Sequence, residues 1–189
     1  MEVVVFDLET TGLSPYIDEI IQIAGMRMRA GRVVETDFFS TYVKPVGSIS
    51  SFISSYTGIS NAHVKKAPRA GNALCEFSDF VGDATLIAHN GQRFDMPFIR
   101  EACLRERLPT RNIDFVDSIS FSRKIWGGRG GHSLDAVMSR LQITEHGNRR
   151  HDARGDVRIL AEAVHLMWSQ LCPGCQTWPV PRRRGILPK

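Results

Sequence analysis

No apolar run in the 189-residue chain reaches the roughly 18–20 residues needed to cross a bilayer. The opening Met1-Glu2-Val3-Val4-Val5 reads as a strand, not as a signal peptide. No membrane contact is expected, and an intracellular setting is. Cysteine is scarce: Cys75, Cys103, Cys172 and Cys175 are too few and too scattered for a disulfide framework. The first two fall on apolar faces of expected helices, as small buried thiols. Cys172-Pro173-Gly174-Cys175 has zinc-knuckle spacing but no second pair follows it, so reduced thiols are the expectation. Compositional bias is absent too. With 42% hydrophobic and 23% charged residues, 16 Gly and 9 Pro, the chain is not collagen-like, disordered or of low complexity. Its length suits one domain with a self-sufficient core.

Net charge is nearly absent from the body of the chain. Lys and Arg number 24 against 20 Asp and Glu, a formal charge of +4. Residues 176–189 hold Arg182, Arg183, Arg184 and Lys189 and no acid, so the whole excess lies in that stretch. It reads as a basic tail able to touch nucleic acid or an acidic partner, or simply as a solubilising end.

The patterning predicts strands at residues 3–6, 19–29, 33–43, 85–88 and 112–116. Helices are predicted over residues 49–57, 70–82, 95–107, 117–125, 133–141 and 153–171. Trp126-Gly127-Gly128-Arg129-Gly130-Gly131 is a loop, and with Arg123 and Lys124 it offers a flexible nucleic-acid contact or a plain surface turn. Three strands followed by strands alternating with helices imply an α/β fold, a mixed five-stranded sheet flanked by helices. Pro173, Gly174, Pro179, Pro181 and Pro188 break structure after residue 172. The expected organisation is a domain over residues 1–171 and a basic, proline-containing tail over 172–189.

Three polar segments interrupt this frame. Asp7-Leu8-Glu9-Thr10-Thr11-Gly12 ends the first strand, where residues two apart point to one side. Asp7 and Glu9 therefore share a small volume, and their repulsion is relieved by protonation or by a divalent cation. His89-Asn90-Gly91-Gln92-Arg93-Phe94-Asp95 follows a buried strand at the edge where ligand crevices form in α/β sheets. His151-Asp152-Ala153-Arg154-Gly155-Asp156 opens the last helix, with Asp152 as its N-cap. Singly, each segment has an ordinary explanation: a common Asp-x-Glu pair, a helix cap, a surface histidine. Together, four carboxylates and a histidine are the ingredients of two-metal phosphoryl transfer. Two Mg²⁺ or Mn²⁺ ions about 3.5–4 Å apart flank the scissile phosphate, and a histidine of ordinary pKa takes the proton of the attacking water.

Phe6-Asp7-Leu8-Glu9-Thr10-Thr11-Gly12, His89-Asn90 with Phe94-Asp95, and His151 with Asp156 resemble, in order and spacing, the three motifs of the DEDDh (DnaQ-like) 3′→5′ exonucleases. The resemblance covers residues 2–170 and implies a ribonuclease H-like fold and two Mg²⁺ ions. The segment from Ala88 to Asp95 has one residue more between Asn and Phe than bacterial proofreading subunits usually carry. It is most similar to the three-prime repair exonucleases (TREX) and their organellar and plant relatives. Val116-Asp117-Ser118-Ile119, Ser133-Leu134, Gly155-Asp156-Val157 and Thr57-Gly58-Ile59-Ser60 match the same pattern. The proline-rich loop and membrane-anchoring extension of the larger TREX protein have no counterpart in these residues.

The resemblance assigns roles by position. Asp7, Glu9 and Asp156 hold the first metal, Asp7 also the second, and Asp95 completes the site. His151 is the general base, Thr10 and Leu13 contact and wedge the terminal bases, and Phe94 lies near the penultimate nucleotide. His89 and Asn90 steady the strand. The implied activity is removal of nucleoside monophosphates from 3′ ends of single-stranded or frayed DNA, in a DNA-repair setting. Two alternatives remain: a 3′ RNA trimmer, or an idle nucleic-acid-binding module tethered to a polymerase or repair complex through Trp178-Pro179-Val180-Pro181 and the arginines. Family resemblance also implies a homodimer through the 33–43 edge strand, with its Phe38, Phe39 and Tyr42. His63, His132, His146 and His165 are read as structural or solvated.

Overall fold

The computed structural model describes residues 1–144, 151–174 and 177–189. The expectations for Cys175 and His146 fall outside them. The first strand sets the plan. In β1 (Glu2–Thr10), Val3 and Val5 enter one apolar cluster while Val4, Phe6 and Leu8 enter another. A strand buried on both faces needs helices on both sides. β1 pairs antiparallel with β2 (Ile20–Arg29), which pairs antiparallel with β3 (Arg32–Tyr42). On its other side β1 runs parallel to β4 (Thr85–Ala88), itself parallel to β5 (Thr110–Asp117).

The helices sort by face. α3 (Ala70–Val81) and α4 (Asp95–Arg105) cover the Val4–Phe6–Leu8 side, burying Leu74, Phe77, Phe98 and Ile99 completely. α5 (Ile119–Trp126), α6 (Leu134–Leu141) and α7 (Ala153–Leu171) cover the Val3–Val5 side. Two short helices, α1 (Ser51–Thr57) and α2 (Asn61–Val64), close a small cluster around Ile21, Ile49, Ile59 and Val64. α2, one turn long, was not expected. Among the described residues no helix is long and apolar enough to cross a membrane.

Two expectations are corrected. The mixed sheet flanked by helices holds, but among the described residues it has six strands, in the order β3-β2-β1-β4-β5-β6. The sixth, β6 (Arg183–Pro188), comes from the segment expected to be without structure, and pairs antiparallel with β5. Its physical reason is local alternation: Leu187 is fully buried among the α3–α4 cluster, and Ser78 Oγ donates 2.7 Å to the Pro188 carbonyl. Gly185 lacks the Cβ that would collide with the Met96 methyl. Arg182 and Arg184 both reach Asp114, at 2.5 and 2.9 Å, so part of the basic charge is neutralised on the sheet. The second correction concerns thiols: Cys75 and Cys103 are free, but Cys172 is disulfide-bonded.

The aromatic residues of the β3 edge are engaged inside the chain. Phe39 packs on Phe77 and Phe80 at 5.6 and 5.5 Å, Tyr42 stacks on His63 at 5.6 Å, and Arg158 covers Phe38. In the basic loop region, Lys124 Nζ donates to the Pro179 carbonyl at 2.6 Å and Arg140 lies over Trp126.

Candidate active site

Strand alternation continues past the core into the site. Asp7 and Glu9 follow Val3 and Val5 on the face that α7 covers, while Leu8 points to the opposite cluster. α7 begins at that end of the sheet. Its N-cap Asp152 accepts the Arg154 amide at 3.0 Å and ion-pairs with the Arg154 guanidinium at 2.6 Å. The side chain of Gln22, on β2 opposite Glu9, accepts the Ala153 amide at 3.0 Å. This bond between sheet and helix start puts Asp156, in the first turn, over β1. One oxygen each of Asp7, Glu9 and Asp156 lies within 4.8 Å of the others. Glu9 and Asp156 are only 9% and 7% exposed. Carboxylates this close repel one another, and their hard oxygen donors suit a divalent ion.

Asp95 stands on the element that covers the other face of the sheet. Asn90, with a left-handed φ of 59°, and Gly91 turn the chain sharply after β4. A Cβ on Gly91 would meet the Ala88 side chain at 2.5 Å and Phe115 at 3.0 Å. The turn is organised by Asp117, whose carboxylate accepts the amides of Asn90, Gln92 and Ile119 at 3.1, 3.2 and 3.0 Å. Asp95 then opens α4, buried at 1% exposure, with a hydrogen bond from the Leu8 backbone tying it to β1. Burial, aided by the charge of Asp117, raises its carboxyl from 3.8 to about 7. Asp95 Oδ1 is buried without a hydrogen-bond partner among the described residues. A buried carboxylate oxygen without a partner is a group that a divalent cation would satisfy, and Asp7, Glu9 and Asp156 offer the hard oxygens such an ion takes. Asp95 itself belongs neither to that trio nor to the residues lining the cavity above it.

A cavity of about 630 Å³ opens over the carboxylates. Asp7, Glu9, Asp156, His151, Thr10, Leu13 and Phe94 all line it. Leu13 is 85% exposed at its rim. Thr10 Oγ1 donates to the Gly12 carbonyl at 2.6 Å, fixing the turn that presents Leu13. Phe94 packs on Phe98 with ring centres 4.9 Å apart. His151 sits in a left-handed conformation (φ 59°), with its amide donating to Asp156 Oδ2 at 3.2 Å. His89 and Asn90 do not line this cavity. The His89 ring bonds Ser118 Oγ at 2.8 Å, and Asn90 is an exposed turn residue.

Several contributors were not read from the sequence. Gln22 is one, although a lone amide within Ile20-Ile21-Gln22-Ile23-Ala24 is a legible sign, because buried polar groups need partners. Arg105 is another: from the end of α4 its guanidinium donates to the Asp18 and Pro15 carbonyls at 3.0 and 3.1 Å, bracing the loop that carries Leu13. Phe52 and Tyr56, one turn apart on α1, form the far wall of the cavity. Their rings stack at 6.2 Å, and Tyr56 stacks on His151 at 4.0 Å with 27° between the planes. No sequence signal connects residues 56 and 151.

This geometry can be set beside known proteins. The family profile described as "Exonuclease" (RNase T) matches residues 4–164. A DNA polymerase III subunit epsilon-like protein of Rhodobacter capsulatus is 41% identical over 163 residues, covering 85% of this chain and 23% of that protein. A PolC-type DNA polymerase III of Streptococcus mutans is 35% identical over 159 residues, covering 83% of this chain and 11% of that protein. The chain thus spans about a quarter or less of the length of these relatives. Among solved structures, the nuclease domain of 3′hExo, described as a DEDDh family member and bound to rAMP, superposes with a TM-score of 0.80 at 18% identity, covering 97% of this chain and 96% of that one. Exonuclease X in complex with 5′ overhanging duplex DNA superposes with a TM-score of 0.71 at 23% identity, covering 89% and 92%.

Proposed function

Since this chain belongs to the exonuclease family whose profile spans residues 4–164, we propose that it hydrolyses phosphodiester bonds one nucleotide at a time from DNA 3′ ends. The family typically uses divalent metals, and two Mg²⁺ or Mn²⁺ ions are the proposed cofactors. The observation that carries the reading is the meeting of Asp7, Glu9 and Asp156 within 4.8 Å beneath a cavity that His151 also lines. A nucleic-acid-binding module without activity has no reason to gather carboxylates where a phosphate must sit.

In this reading Asp7, Glu9 and Asp156 hold the cations, and Asp95 completes the set from the opposite face. Bound there, divalent ions supply the charge that activates water and stabilises the leaving 3′-oxygen. His151 takes the proton from the attacking water. Leu13, braced by Thr10 and by Arg105 behind it, wedges against the terminal base, and Phe94 supports the next nucleotide. Stacking of this kind tolerates any sequence. The relatives named as DNA polymerase III proteins support DNA as the substrate and a replication assembly as the partner.

Matched 5′-labelled DNA and RNA oligonucleotides, incubated with Mg²⁺ or with EDTA, test this. A ladder shortening from the 3′ end only with metal, faster on DNA and lost in His151→Ala, is the expected result. A faster RNA ladder would replace the sugar assignment. Intact oligonucleotides in every lane, with a gel shift, would leave only a binding module.

A further inference from the structure

We propose that Tyr56 is a positioning residue for the reaction: its ring holds the imidazole of His151 in working orientation over the carboxylates. The inference rests on the reading of His151 as the general base. His151 needs such support. Its backbone lies in the left-handed region, at φ 59°, which a residue with a Cβ occupies only when its surroundings hold it there. Its amide is tied to Asp156 Oδ2, but among the described residues its ring makes no hydrogen bond. The contact that fixes the ring plane is the face of Tyr56, 4.0 Å between centres and 27° from parallel.

Tyr56 is itself held from behind. Phe52 stacks on it from one turn earlier, nearly parallel at 8°, the spacing at which helical side chains meet. The helix beneath is pinned at both ends. Ser50 Oγ accepts the Ile53 amide at 3.2 Å, and the chain leaves at Gly58 with φ 77°. Thr57, buried at 3% exposure, bonds the Ile53 carbonyl at 2.9 Å and accepts the Ile59 amide at 3.1 Å. Phe52 and Tyr56 are 73% and 50% exposed, so core packing does not explain two aromatic rings here. A stack of Phe52, Tyr56 and His151 leading down to Asp156 does explain them. It transmits the rigidity of α1 to the imidazole, and a proton acceptor works only when its nitrogen stays within hydrogen-bond reach of the water.

Tyr56 also lines the cavity that receives the terminal base, and the test must separate the two roles. An oligonucleotide ending in an abasic 3′ residue offers no base to stack on Tyr56. With this substrate, Tyr56→Ala is expected to lower kcat by about three- to tenfold, the range set by one aromatic stack, with KM unchanged. Tyr56→Phe, which keeps the ring, restores kcat. Metal-free protein gives a second readout. The Cε1 proton of His151 should resonate upfield, shifted by the Tyr56 ring current. That shift persists in Tyr56→Phe and collapses to the value of a free histidine in Tyr56→Ala. Normal kcat on the abasic end in Tyr56→Ala, or a His151 resonance that does not move, overturns the proposal. Full activity in His151→Ala overturns the base reading instead, and the positioning role falls with it even if the resonance moves.

Discussion

Asp95 makes the metal-free protein sensitive to pH in a direction opposite to most aspartates. Its carboxyl is buried at 1% exposure beside Asp117, and burial raises it from 3.8 to about 7. The folded chain therefore holds a proton there that the unfolded chain releases near pH 4. Stability is intact below the unfolded value, falls as pH rises from about 4 to about 7, and stays low above that. At about 1.4 kcal/mol per tenfold change in acidity, the full loss is on the order of 4 kcal/mol. Asp95→Asn cannot ionise, so its stability relative to wild type should rise by that order between pH 4 and pH 8. Comparing the two pH values cancels whatever the amide itself costs. Urea unfolding followed by tryptophan fluorescence, with EDTA present, measures it. Added Mg²⁺ should shrink the variant's relative gain at pH 8, because the ionised carboxylate then gains a partner. A wild-type-to-variant gap that is the same at pH 4 and pH 8 would refute the burial argument.

Further tests address the scaffold and the chemistry. Asp7→Ala should abolish shortening of a 5′-labelled DNA strand while a gel shift with the same DNA persists. Gln22→Leu orphans the Ala153 amide and should cost about 1–3 kcal/mol, read by urea denaturation, together with a lower kcat as Asp156 drifts from β1. Gly91→Ala forces a Cβ to within 2.5 Å of Ala88. Overpacking of about 1–3 kcal/mol and weaker Mg²⁺ binding by calorimetry are expected, since the displaced turn carries Asp95. Leu187→Ala should cost about 2–5 kcal/mol, like any buried leucine; a change near zero would mean that β6 does not belong to the core.

How much of this was legible differs by residue. Asp7 and Glu9 were readable as a pair because strand geometry has a period of two, a property of the local chain. Asp152 as a cap and Asp156 in the first turn follow equally from helix geometry. The buried runs that became β1, β2, β4 and α7 declared themselves because each must bury a face, and β4 and α7 kept their expected limits, 85–88 and 153–171. β6 was not legible. Prolines and arginines there speak for an open tail, and only the vacant edge of β5, the notch at Gly185 and the socket for Leu187 make a strand of it.

The sequence by itself determined which residue types are available and the local faces they occupy: two acids on one strand end, one at a turn, one in a helix start, with a histidine before it. Their distances were decided by tertiary structure. Gln22 bonding Ala153, Asp117 gathering three amides and Arg105 bracing the Leu13 loop join segments far apart in the chain. No periodicity encodes such contacts, because each depends on how whole elements pack. The same holds for Tyr56 on His151: residues 56 and 151 have no relation along the chain, and they meet because α1 and the start of α7 cover the same end of one sheet.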